Sequence, residues 1–351
     1  MKLLLAKLEK KETRMDRSYD VLAVGRSSID LYANDIGAPF IEIKSFAAYV
    51  GGCPANISVG ARRLGLRTAF LTALGEDFVG DFVLNFLNKE GIETQFSKRK
   101  QGRRTSAFLL GIEPPDKFSL VPYRDNCADL ELTIDDVLAA PIASSRVLLL
   151  TGTGLSRQPS RDATLFAAER ARAHNTKVVL DLDFRAELWP DARTYGVAIR
   201  SALPLIDIVI GTLDEVKAAV HKGVAGNAND EAQAAGKQSS HDDVLKGIEA
   251  MLAANVEAVV VKRGGESTFV YVRGGEVIEA APFPVEVCNV LGAGDAFAGG
   301  FLYGYLKGWD WHRAARMGNA CGAIVVTRHG CANFMPYEKE VLTFINERGG
   351  F

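Results

Sequence analysis

The 351-residue sequence has no C-x-x-C pair among its cysteines and no H-x-x-x-H spacing among its five histidines. It also has no apolar run of the roughly twenty residues that cross a bilayer. Its five cysteines (Cys53, Cys127, Cys288, Cys321, Cys331) are scattered and odd in number. No disulfide framework is expected of them, and without clustered thiols or imidazoles no zinc centre is expected either. A reducing, cytoplasmic location is therefore expected. Basic excess is missing too: 41 Lys and Arg face 43 Asp and Glu, for a net charge of −2. Sequence-independent nucleic-acid binding needs a basic surface, so neither nucleic acid nor membrane is an expected partner. The opening MKLLLAKLEKKETRMDRSYD has only a four-residue apolar run before Lys7, too short for a signal-peptide core. Residues 1–18 read as a flexible, charged leader without a fold of its own.

Short runs rich in valine, isoleucine and leucine alternate with helical patterns along most of the chain. DVLAV (20–24), RTAFLTAL (67–74), RVLLLTG (146–152), KVVLDLD (177–183), DIVIGT (207–212) and AVVVKRG (258–264) read as buried strands. The intervening segments 77–91 and 160–175 carry apolar residues at helical spacing. Continuous apolar strands alternating with helices predict an α/β fold, a mostly parallel sheet covered on both faces.

Two regions break this rhythm. Residues 31–50 are mixed, and 103–125 resemble antiparallel strands joined by a Pro-Pro-Asp turn, so both are expected to form a small β-rich lid. Residues 221–243 are polar, alanine-rich and aperiodic, and read as a mobile surface insertion. The expected domain runs from 19 to 340, with 341–351 as its C-terminal end.

The stretch NVLGAGDAFAGGFLYGYL (289–306) places five glycines and one carboxylate in an otherwise apolar run. No G-x-x-x-x-G-K-[ST] motif occurs anywhere, and G-x-G-x-x-G fails here because the sixth position is Phe297. What remains is a glycine turn feeding the start of an apolar helix. Such a terminus has unpaired N–H groups and partial positive charge, which suit an anion. Gly299, Gly300 and Gly304 each cost roughly 1 kcal/mol in helix propensity, which is reasonable if the helix packs closely on a neighbour. Asp295 reads either as a helix-start carboxylate favoured by the dipole or as a base beside an anion hole. Local sequence leaves both open.

Residues 51–82, GGCPANISVGARRLGLRTAFLTALGEDFVGDF, together with 289–301, resemble the two signatures of the ribokinase-like (PfkB) carbohydrate kinases, in order and in spacing. The resemblance spans about 19–337 and implies a ribokinase-like doubly wound fold. The opening GRSSIDLYANDIGAPF, the segment PYRDNCADLEL and the variant NVLGAGD resemble the branch that phosphorylates a keto-deoxy sugar acid in myo-inositol breakdown. Other branches usually begin the second signature with Asp-Thr where this chain has Asn289-Val290. Kinases for 2-keto-3-deoxygluconate or fructose, and a non-catalytic sugar-binding relative, are the competing readings.

That resemblance implies ATP and Mg²⁺ as cofactors, with a monovalent cation such as K⁺ as a further candidate. It makes Asp295 the base for a primary hydroxyl and Gly292, Ala293 and Gly294 the anion hole. Asp30, Gly51, Gly52 and Asn56 fall at sugar-contacting positions. Arg124 and Arg185 match substrate-pocket positions, where guanidinium groups would pair with a carboxylate; fructose-type relatives also carry an arginine like Arg124. Lys262 and Gly264 fall on the nucleotide side, where Ser267 replaces a family glycine. Thr212 replaces the asparagine of an Asn-x-x-Glu element whose Glu215 organises magnesium through water. Asn319 resembles a residue near adenine. Relatives often dimerise through the lid, where Tyr49 and the nearby phenylalanines would supply contact.

Overall fold

The computed structural model describes residues 17–113, 117–220 and 241–351. The leader, apart from its last residues, the Pro-Pro-Asp turn and most of the 221–243 segment lie outside the described residues.

The first sheet has eight strands: β1 (Tyr19–Val24), β4 (Thr68–Leu71), β9 (Ser145–Thr151), β10 (Lys177–Asp181), β11 (Ile208–Thr212), β12 (Ala258–Lys262), β13 (Thr268–Val272) and β14 (Val277–Ala280). Their order is β14-β13-β12-β11-β10-β9-β1-β4. All pairs from β4 to β12 are parallel, and β12-β13-β14 closes the far edge antiparallel. The run expected over 67–74 bends after Leu71 and continues as β5 (Ala73–Gly75), which leaves the large sheet to pair with β6 (Lys98–Lys100).

Helices cover both faces. In chain order they are α1 (Cys53–Arg63), α2 (Phe78–Lys89), α3 (Ile134–Leu138), α4 (Ser160–Ala173), α5 (Ala192–Ala202), α6 (Leu213–Val220), α7 (His241–Ala253), α8 (Ala293–Leu306), α9 (Trp311–Val326) and α10 (Glu338–Asn346). Because strand side chains alternate in direction, each strand feeds two cores. Val21, Val147 and Ile208 join residues of α1, α8 and α9 on one face. Leu22, Leu148 and Val209 join α4, α5 and α7 on the other.

The glycines of α8 follow from its packing. A Cβ at Gly300 would lie 2.8 Å from the Met317 carbonyl oxygen of α9, and one at Gly304 would lie 2.7 Å from Ala314 Cα. These close approaches are what the propensity cost permits.

A second sheet has four strands in the order β3-β2-β7-β8, from β2 (Ser28–Ala33), β3 (Phe46–Gly51), β7 (Ser106–Glu113) and β8 (Lys117–Tyr123). It grows out of β1 through the short link Gly25–Ser27. On one face Ser28, Asp30, Tyr32, Ser106, Phe108 and Leu110 are all buried. Among the described residues no helix is long and apolar enough to cross a membrane.

Candidate active site

An open α/β sheet leaves a crevice beyond the C-terminal ends of its parallel strands. Four such ends converge here. β1 runs into Gly25–Ser27, β10 ends at Asp181 and continues to Asp183 and Arg185, β11 ends at Thr212, and β12 ends at Lys262.

Asp295 lies in the first turn of α8, one of whose flanking residues, Gly292, has φ 80°. That left-handed backbone favours glycine, and a Cβ at Gly292 would also stand 2.8 Å from the Cys331 backbone nitrogen. Asn289 clamps the same turn: its Nδ2 donates to the His329 carbonyl at 2.6 Å and its Oδ1 accepts from the Leu291 N–H at 2.9 Å. The Asn-Val variant of the signature thus has a definite task, tying the α8 entry to the 327–331 loop.

The Asp295 carboxylate is buried and accepts a 2.7 Å hydrogen bond from Asn56 Nδ2 on α1. Burial pushes its pKa above the ordinary carboxylate value; the Asn56 bond opposes this, Asp183 adds to it and Arg185 opposes it. A carboxylate so raised sits closer to the working pH of a general base. Asn56 Oδ1 is buried without a partner, an acceptor left open beside that base. Removing the Asn56 donor takes away support for the charged form. Asn56→Ala should therefore raise the Asp295 pKa further and move the acid limb of the kcat profile to higher pH; an unmoved limb would contradict the pairing.

Asp30 belongs to β2 and is also buried. Its Oδ1 accepts from Ser28 Oγ at 2.7 Å, and Cys331 Sγ lies 3.2 Å from Oδ2. Burial raises its pKa, opposed by the Ser28 bond and the Arg26 charge. Gly51 is required beside it: a Cβ there would fall 1.9 Å from Asp30 Oδ2. Gly52, at φ 101°, opens α1 and brings Asn56 round to the same crevice.

At the other side of Asp295, Lys262 Nζ is 3.3 Å from Asp181 Oδ2 and would be 3.1 Å from a Cβ on Gly294. A buried ammonium and the N-terminus of α8 therefore converge, a pairing that suits a phosphate. Burial alone would lower the Lys262 pKa, but Asp181 and Glu215 hold it above its ordinary value. Asp181 is raised by burial, against the Lys262 charge. Glu215 and Thr212 form a reciprocal cap on α6: Oε2 accepts from the Thr212 N–H at 2.7 Å and Thr212 Oγ1 accepts from the Glu215 N–H at 3.2 Å. Threonine performs the capping an asparagine would, so this departure keeps the local geometry. Glu215 Oε1 also accepts from the Phe184 N–H at 3.2 Å.

Arg185 Nη2 is 3.3 Å from Asp183 Oδ1, with 42% of its side chain still exposed. Arg124 is buried in an ion pair with Asp129, which also accepts from Ser106 Oγ. Gly264 forms an open turn after β12 at φ 61°, with no atom within 4 Å of where a Cβ would stand. The Asn319 amide is fully engaged in stapling α9 to the antiparallel edge: Nδ2 donates to the Ala280 and Ala281 carbonyls at 3.0 and 2.9 Å, and Oδ1 accepts from Thr268 Oγ1 at 2.7 Å.

Asp181 and Asp183 are central to the crevice but were not among the residues singled out from the sequence. Their signal is the pair of carboxylates ending the apolar run KVVLDLD. Asp183 has φ 34°, uncommon for a non-glycine residue, and its Oδ2 accepts from Thr153 Oγ1 at 2.8 Å. Arg26 was likewise missed.

The α/β fold, the glycine entry to α8 and the carboxylate held beside it define a sugar-kinase architecture. The profile described as pfkB family carbohydrate kinase matches residues 18–338, and the chain belongs to that family. A Bacillus velezensis protein named 5-dehydro-2-deoxygluconokinase is 34% identical over 331 residues, covering 94% of this chain and 95% of that one. A Geobacillus kaustophilus protein of the same name is 35% identical over 329 residues, covering 93% and 94%. Among solved structures, fructokinase with bound ATP from Xylella fastidiosa superposes with a TM-score of 0.79 at 25% identity, covering 94% of this chain and 99% of that chain. The chain is thus a carbohydrate kinase with the ribokinase-like fold.

Proposed function

We propose that this kinase transfers the γ-phosphoryl group of ATP to the primary hydroxyl of 5-dehydro-2-deoxy-D-gluconate, giving the 6-phosphate in myo-inositol catabolism. The observation that carries the reading is the Asn56–Asp295 pair at the entry to α8, beside the Lys262 ammonium. The relatives' shared name supports the choice of sugar acid.

In this reading Asp30, seated on Gly51, and the free Asn56 Oδ1 hold the sugar hydroxyls, with Gly52 setting the entry to α1. Asp295 takes the proton as the hydroxyl oxygen bonds to the γ-phosphorus. The bond from that phosphorus to the β,γ-bridging oxygen breaks and ADP leaves. In this role the backbone N–H groups of Gly292 and Gly294 face the charge that develops on the transferring group, while the Ala293 N–H donates to the Val290 carbonyl at 3.3 Å and holds the turn. Lys262 and the open Gly264 turn receive the phosphates.

Mg²⁺, when bound, neutralises phosphate charge. The donors present fit it: magnesium is usually held by one or two carboxylates, water and substrate phosphates. Glu215 Oε1 and Oε2 each accept a single backbone bond and keep lone pairs for metal-bound water. Asn319 serves this side by fixing the antiparallel edge rather than through a free amide. Arg124 shapes the sugar end through Asp129, and Arg185 supplies positive charge that acts on both Asp30 and Asp295. K⁺ remains a candidate monovalent cofactor.

The four-stranded sheet acts as the lid that excludes water, and it carries the expected homodimer contact, with Ile41 93% exposed near its rim. The five free thiols fit a cytoplasmic enzyme. The product decides the reading: phosphorus-coupled NMR should place the new phosphate on C6 of the sugar acid. Phosphate on a ring or secondary hydroxyl would overturn it.

A further inference from the structure

Arg26, in the link between the two sheets, is a buried cation to which phosphoryl transfer gives no task. The residue is 7% exposed, and its Nε is buried without a hydrogen-bond partner. Its guanidinium carbon lies 4.5 Å from the centre of the Phe108 ring. Phe108 is the register partner of Asp30 in the β2–β7 ladder, so the stack stands beside the sugar-binding carboxylate. The Arg26 backbone fits the same place: a Cβ on Gly52 would fall 2.6 Å from the Arg26 carbonyl oxygen. Asp30 feels the Arg26 charge, but the side-chain groups bonded to its oxygens are Ser28 and Cys331, not Arg26.

A buried guanidinium stacked on an aromatic ring, with donors unspent, is built to receive a planar anion. The two arginines singled out from the sequence differ from it, since each already faces a carboxylate of this chain: Arg124 has Asp129 and Arg185 has Asp183. We infer that Arg26 receives the carboxylate of the sugar-acid substrate and sets the preference for acids over neutral sugars. The inference rests on the sugar-acid reading above. In it the primary hydroxyl lies at Asp295, Asp30 holds the middle of the carbon chain, and the carboxylate lies at the opposite end.

The test compares wild type, Arg26→Met and Arg26→Lys on 5-dehydro-2-deoxygluconate and on fructose, with Tm measured alongside. Loss of a bidentate charged contact made equally in the ground and transition states should raise KM for the acid about 100-fold in Arg26→Met, with kcat within about threefold. kcat/KM for fructose should fall far less, by no more than about threefold. Arg26→Lys, which keeps the charge and loses the fork, should recover about a tenth of the lost affinity. An acid KM in Arg26→Met within about twofold of wild type overturns the assignment, and so does an equal loss on both substrates. If Arg26→Met does not fold, Arg26→Lys decides: an acid-selective rise in KM supports the assignment and an unchanged KM overturns it. Failure of the underlying reading is seen in wild type alone, as turnover of fructose without turnover of the acid, and would take the Arg26 assignment with it.

Discussion

Asp295→Asn should lower kcat by about a thousandfold, the scale of a lost general base, while leaving the fold at least as stable as wild type. The change keeps shape, and an amide oxygen can still accept from Asn56, so the sugar should bind with little change in KM. Stability should move the opposite way from activity. Burial raises the Asp295 pKa above its unfolded value, and Asp183 adds to the rise. Its ionised form therefore opposes folding at any pH above the ordinary carboxylate pKa of about 4. Asparagine removes that opposition, so the variant's Tm should exceed wild type at pH 8 and the difference should shrink as the pH falls towards 4. A variant that is inactive because it is less stable would show that Asp295 is a structural capping carboxylate.

Gly51→Ala should nearly abolish sugar binding without touching the base. The added methyl would occupy space 1.9 Å from Asp30 Oδ2 and 2.1 Å from its carboxyl carbon. Asp30 must then swing away from Ser28 and from the sugar, or β3 must shift. Losing two hydrogen bonds to a charged acceptor, at about 1.5 kcal/mol each, corresponds to roughly a 100-fold rise in sugar KM. KM for ATP should stay near wild type, because the nucleotide side rests on β11, β12 and α8. Asp30→Ala should give a similar loss, and Gly51→Ala added to it should cost little more, since the two changes act on one interaction. A Gly51→Ala enzyme with normal sugar KM would show that Asp30 does not hold the substrate.

The parallel strands were legible because their apolar runs are continuous and end at polar residues. RTAFLTAL hid a bend: Thr72 carries the chain out of the large sheet, and periodicity does not report that. The antiparallel edge, Thr268–Val272 and Val277–Ala280, went unread because its burial is uneven and its strands are short. At the site, the residues carried by the two signatures converge as a group. Asp181 and Asp183 were not picked out because a carboxylate at a strand end looks like the start of a loop. Arg26 escaped because its partner surface, Phe108, is remote in sequence and comes near only when β2 pairs with β7. Asn319 shows the converse: resemblance alone placed it near adenine, whereas its amide bonds, which hold two elements together, join residues remote in sequence.

The most direct measurement is ADP release with Mg·ATP when 5-dehydro-2-deoxygluconate, 2-keto-3-deoxygluconate, fructose and ribose are offered side by side to wild type and Asp295→Asn. Wild type should show its highest kcat/KM with 5-dehydro-2-deoxygluconate, and the variant should lose that turnover. Turnover confined to the neutral sugars, or turnover that survives in Asp295→Asn, would contradict the proposed function.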